Sequence, residues 1–130
     1  MMKPFFLNVD LDIFSRTNLK PIHAEVEKHV LVLYFGPINK SGKHLLSIEN
    51  SHFFKTPEPA INRLCSIIEN FSESSRRMWQ RSRRQFHIGY ELRKNEKLSY
   101  VAINPKTLKR IAALGAELKV TFYREEPDGD

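Results

Sequence analysis

From residue 7 to residue 13 apolar and polar side chains alternate, with Leu7, Val9, Leu11 and Ile13 separated by Asn8, Asp10 and Asp12. A period of two over seven residues predicts a half-buried strand. Thr17 or Asn18 then stands where a cap is needed for a helix carrying Leu19, Ile22 and Val26 on one face. The run "VLVLYFG" at 30–36 is apolar at every side-chain position. It predicts a central strand covered on both sides. "NKSGK" at 39–43 reads as a turn, and "HLLSIEN" at 44–50 as the returning strand of a hairpin.

Thr56-Pro57-Glu58 combines a capping residue, a first-turn proline and an early carboxylate, which together start a helix. Ile61, Leu64, Cys65, Ile68 and Phe71 follow at helical spacing. Their phase carries on to Met78 and Trp79 across "SESS" at 72–75, so a single helix, straight or gently broken, is expected from Pro57 to about Arg83. A strand with Phe86, Ile88, Tyr90 and Leu92 on one face comes next, then a turn near Asn95 and a short strand in "LSYVAI". Asn104-Pro105 opens a last helix with Leu108, Ile111, Ala112 and Leu114 turned inward, and Gly115 is its left-handed stop. Gly36 and Gly42 likewise read as turn residues. "AELKVTFY" closes the pattern, with Leu118, Val120 and Phe122 alternating against Lys119, Thr121 and Tyr123.

The order β-α-β-β-α-β-β-α-β is not a strict βαβ alternation. It predicts one α+β domain over residues 1–123, with a largely antiparallel sheet and helices on one face. The tail 124–130, "REEPDGD", has a net charge of −3 and is expected to be flexible, or to fold back on a basic patch.

At 130 residues, 41% of them hydrophobic and 28% charged, the chain has the composition of one globular domain. Only three apolar residues follow one another at 5–7, too few for a secretory signal, and no stretch approaches a membrane span. The cytoplasm is the expected compartment. The single cysteine, Cys65, can form neither an intrachain disulfide nor a cysteine-based zinc cluster. It sits beside the apolar helix face, as a buried, inert thiol would.

The net charge of +6 is local: without Arg76, Arg77, Arg81, Arg83 and Arg84 it falls to +1. On one helix these five would share an arc of roughly 160°, opposite Met78, Trp79 and Ser82. Trp79 would then pack inward, unlike the aromatics of a single-strand nucleic-acid site, which lie among the basic groups. The cluster reads as a solvated face, as a surface for an acidic protein partner, or as a non-specific phosphate-binding patch. Arg76, Arg77, Arg81 and Arg84 are the binding candidates, as planar forks suited to carboxylates.

Asp10 and Asp12 project from one strand face about 7 Å apart. If the sheet is open there, Glu49, His87, Glu91 and Lys119 share that face. Such a set could hold a metal or do acid–base work, and Asp10, Asp12 and His87 would carry a hydrolase reading. The simpler reading is the polar half of alternating strands. His23, His29, His44, His52 and His87 lack paired metal-binding spacing, and no glycine-rich loop or nucleophile motif is present. No cofactor, metal or catalytic residue is assigned. Phe53 and Phe54 read as a staple into the core, or as a patch for self-association into a homodimer.

The closing stretch "INPKTLKRIAALGAELKVTFY" resembles the C-terminal signature of uncharacterised bacterial proteins grouped as a domain of unknown function. There a capped helix runs into a final strand ending in an aromatic residue. "RRQFHIGYEL" is similar to the strand that precedes it, and the resemblance spans roughly residues 76–123. It implies a small bacterial protein without assigned activity, some members resembling the immunity partners of secreted toxins. It carries over no catalytic residues.

Overall fold

A computed structural model describes residues 4–95 and 100–124. The elements are β1 (Phe5–Ser15), α1 (Lys20–Val26), β2 (Val30–Ile38), β3 (Lys43–Asn50), α2 (Pro57–Glu69), α3 (Glu73–Gln80), β4 (Arg83–Leu92), α4 (Pro105–Ala113) and β5 (Glu117–Arg124). They form an α+β fold with one five-stranded sheet in the order β2-β3-β1-β4-β5. Three of its ladders are antiparallel, and β5 lies parallel to β4. A parallel pair needs a crossover, which α4 supplies.

The strand alternation divides the sheet into two faces. Val9, Leu11 and Ile13 of β1, Leu46 and Ile48 of β3, and Phe86, Ile88 and Tyr90 of β4 join one buried cluster. The helices cover it with Ile22 and Val26 of α1, Ile61, Leu64, Cys65 and Ile68 of α2, Trp79 of α3 and Ile111 of α4. Burial pushes the Cys65 thiol up to about 11, so it stays protonated and inert. Among the described residues no helix is long and apolar enough to cross a membrane.

Local chemistry fixes the helix ends. Asn18 Oδ1 accepts the first α1 amide, that of Lys20, at 2.9 Å. Thr56 flanks Pro57 in extended backbone but makes no side-chain cap bond. Asn104 Oδ1 caps α4 by accepting Thr107 N–H at 2.9 Å. Gly115, at φ 67°, stops α4: its N–H and that of Ala116 return to the carbonyls of Ala112 and Ile111. A Cβ on Gly115 would stand 2.9 Å from Arg84 Nη2 as well as in a disfavoured φ. Gly115→Ala is therefore expected to cost about 1–2 kcal/mol, read as a lowered urea midpoint.

Five expectations are corrected. The 30–36 run is not a central strand: β2 is a sheet edge, and Leu31 through Phe35 are exposed. Gly36 lies within that strand rather than in a turn. The helix from Pro57 to Arg83 is two helices, because Ser72 starts a new one by accepting the Ser75 amide while Glu25 of α1 holds Ser72 N–H at 2.6 Å. The part of "LSYVAI" within the described residues, 100–103, forms no strand, and residues 98 and 99 lie outside them. On α4, Leu108 and Ala112 face water, while Thr107 joins Ile111 inside. The expectation for the acidic tail lies outside the described residues beyond Arg124.

Candidate functional site

The break at Ser72 and the start of β4 redistribute the arginines. Arg76 and Arg77 are exposed on α3, and Arg81 is exposed at its C-cap. Arg83 and Arg84 belong to β4, and successive strand residues point to opposite faces. Arg83 turns to the open sheet face, where its Nε and Nη2 grip both carboxylate oxygens of Glu117 at 2.8 and 3.2 Å. Arg84 turns to the helical face and reaches Trp79.

Trp79 is buried against Phe71, with the rings edge to face at 6.1 Å, and its indole N–H donates to Leu114 O at 2.9 Å. The Arg84 guanidinium lies 5.6 Å from the Trp79 ring centroid. It donates from Nη1 to Trp79 O at 2.7 Å and from Nε to Gly115 O at 3.1 Å. Burial lowers its pKa, since partial desolvation disfavours the charge. Arg84 thereby ties the end of α3 to the end of α4. Among the described residues its Nη2 has no partner.

These contacts frame an open cleft of about 520 Å³ between the two helix ends. Ile68, Phe71, Trp79 and Leu114 form its apolar lining, with Arg76 and Arg84 beside them. Glu69 also borders it, but that carboxylate is taken by Arg110 Nη2 at 2.6 Å. The cleft is left cationic over an aromatic floor. Outside it, Arg77 makes a wet 3.3 Å pair with Glu73, while Arg76 and Arg81 meet no carboxylate among the described residues. An arrangement of this kind can take a carboxylate between the guanidinium of Arg76 and the remaining Nη2 of Arg84, at the mouth of an apolar lining whose Phe71 and Trp79 rings are themselves buried.

Of the four candidate arginines, the structure brings Arg76 and Arg84 to one cleft and sets Arg77 and Arg81 on the adjoining helix surface. The sequence reading missed Phe71, Leu114 and Gly115 as parts of this site. Phe71 lies in the link after α2 and Leu114–Gly115 at the end of α4, two places far apart in the chain that no local motif links.

The open sheet face carries the second set. Asp10 and Glu49 are directly opposed across the β1–β3 ladder, and Asn8 Nδ2 donates to both, at 2.9 and 3.4 Å. Asp10 is pushed up to about 7, first by burial and then by the Glu49 and Asp12 charges. Asp12 accepts Ser47 Oγ–H at 2.6 Å, and His87 Nε2 is 2.6 Å from Thr121 Oγ1. Burial, then Lys119, lowers the His87 pKa. Asp10, Asp12 and His87 thus share a face, but each is engaged by a different neighbour. Among the described residues no three His, Cys, Asp or Glu side chains gather as metal ligands do.

Phe53 and Phe54 part company. Phe54 packs on the core, whereas Phe53 is 79% exposed beside a hollow shared with Phe6, Tyr90 and Tyr100. No family model matches the chain, and neither a curated protein nor a solved structure matches it.

Proposed function

We propose that the protein is a non-catalytic binding protein that captures another protein through the arginine-lined cleft. One observation carries this reading: Arg84 lies over the Trp79 ring and Arg76 lines the same cleft, while among the described residues the one carboxylate bordering it is already held by Arg110. The chemistry fits an acidic side chain or a terminal carboxylate flanked by apolar residues. Arg77 and Arg81 extend the basic surface around it. An immunity-type protein that neutralises an acidic toxin would be one protein of this kind, the reading that the resemblance of residues 76–123 suggests.

The same exposed guanidiniums suit phosphates, so the test separates the two. A tagged protein is incubated with lysate of its native host, with and without nuclease, and washed at rising salt. A protein partner is expected to survive nuclease treatment. The double substitution Arg76→Glu and Arg81→Glu should release it without moving the melting temperature, because both side chains are exposed and neither meets a carboxylate among the described residues. Material that disappears with nuclease, and whose retention falls steeply with salt, would instead assign the arginines to nucleic acid. Retention unchanged by the double substitution would overturn both readings.

A further inference from the structure

We infer that β2 is a self-association edge, along which two copies of this chain pair antiparallel and join their sheets into one. The two edges of the sheet differ in chemistry. β5 carries Glu117, Lys119 and Arg124, charges that discourage an added strand. β2 has no charged residue in its nine positions, "VLVLYFGPI". Five consecutive residues, Leu31 to Phe35, are each between 36% and 49% exposed. Register places Leu31 and Tyr34 opposite Glu49 and Ser47 on the open face, and Val32 and Phe35 opposite Ile48 and Leu46 on the helical face. The apolar surface therefore borders both sides of an edge whose outer N–H and C=O groups have no ladder among the described residues.

An isolated hydrophobic residue on a surface needs no explanation, but an uncharged strand about 30 Å long with a free backbone row is a pairing template. The occupant that fits is a second copy. Two-fold pairing sets one patch against itself, apolar to apolar on both faces, with no charge buried. The charges at its ends fix the direction. The strand is entered past Glu27 and Lys28 and left through the hairpin bearing Lys40 and Lys43. Antiparallel pairing sets the charge-balanced Glu27–Lys28 end of each copy beside the other's hairpin lysines, while parallel pairing would stack the two lysine hairpins against each other. The register shift between Val32 and Tyr34 leaves Leu33 without a partner on β3, so the joint has to accommodate one bulge in each copy. Pro37, with no N–H, ends the pairing length on the hairpin side.

The experiment is sedimentation equilibrium on the full chain over a concentration series, beside Leu33→Lys and Leu31→Lys. The unchanged chain is expected to show a monomer–dimer equilibrium. Each lysine variant should raise the dimer dissociation constant at least about tenfold, by setting ammonium groups into an uncharged, apolar joint, with an unaltered circular dichroism spectrum. Arg76→Glu with Arg81→Glu should dimerise as the unchanged chain does, which keeps this edge distinct from the arginine cleft. A chain that stays monomeric up to its solubility limit would overturn the inference. So would a dimer indifferent to both lysines, or open-ended assembly beyond the dimer.

Discussion

Trp79→Ala is expected to destabilise the protein by about 3–5 kcal/mol, the usual cost of emptying a large aromatic site. The ring is one of the buried residues that join α3 to the core, and it bridges three elements: Phe71 after α2, Leu114 at the end of α4 and Arg84 of β4. Alanine would lose the packing, the hydrogen bond to Leu114 O and the surface on which the Arg84 guanidinium rests. Trp79→Phe separates these contributions. It keeps most of the apolar area and should cost about 1 kcal/mol, the net worth of one hydrogen bond. Urea unfolding followed by circular dichroism reads both, since Trp79 is the chain's only tryptophan and its fluorescence vanishes with it. If alanine cost no more than phenylalanine, α3 would be held by something other than this ring. The cleft floor would then not be the rigid surface described above.

Asp10→Asn should stabilise the protein at pH 8, and by less as the pH falls. Asp10 faces Glu49 on β3, with Asn8 and Asp12 beside it on β1 and His87 opposite on β4. Its carboxyl holds a proton up to about 7 in the fold, against an ordinary value of 3.8. Between those values the folded chain binds more protons than the unfolded one, so this group's contribution falls as pH rises and levels off above about 7. Discounted for screening at a partly solvated face, the cost at pH 8 is about 1–2 kcal/mol. Asparagine removes the charge, keeps the shape and can donate to Glu49. The stability difference between variant and unchanged chain, measured by urea unfolding, should grow from pH 5 to pH 8. An equal difference at the two pH values would mean that neither burial nor the neighbouring carboxylates raise Asp10 in the fold. A larger residue at Gly89 would disturb the same group, because its Cβ would stand 2.8 Å from Asn8 Oδ1.

Where periodicity speaks for itself, the sequence was readable. β1, the β2–β3 hairpin, α2, β4 and the Asn104–Gly115 boundaries of α4 are all written in spacing, caps and turn residues. Neighbours are not written there. The 30–36 run is apolar on both faces whether it lies at the middle of a sheet or at its rim, and only the pairing order tells the two apart. The helix break was masked because Trp79 resumes the apolar phase of Ile68, so that nothing in the spacing sets Ser72 apart as a cap. The helical reading groups Arg83 and Arg84 with the other arginines, whereas the alternation of Phe86, Ile88 and Tyr90 continues back through Arg84 to the helical face and through Arg83 to the other. Joining Arg84 to Gly115 and Trp79 to Leu114 depends on how α4 lies across the sheet, which no local pattern encodes.

The place of β1 has a consequence for how the chain reaches this fold. The strand that comes earliest in the sequence is flanked on both sides, by β3 through Glu49 and by β4 through His87. The hairpin of β2 and β3 closes a short loop around Asn39 and Gly42 and can form early. β1 can then dock on β3, but its other side must wait for a ladder that closes far along the chain, after α2 and α3. On loop-closure grounds the sheet is expected to grow outward from the hairpin, and until β4 docks Val9, Leu11 and Ile13 would lie on an open edge. For that interval the strand that ends as the centre of the molecule is its most exposed to misassembly.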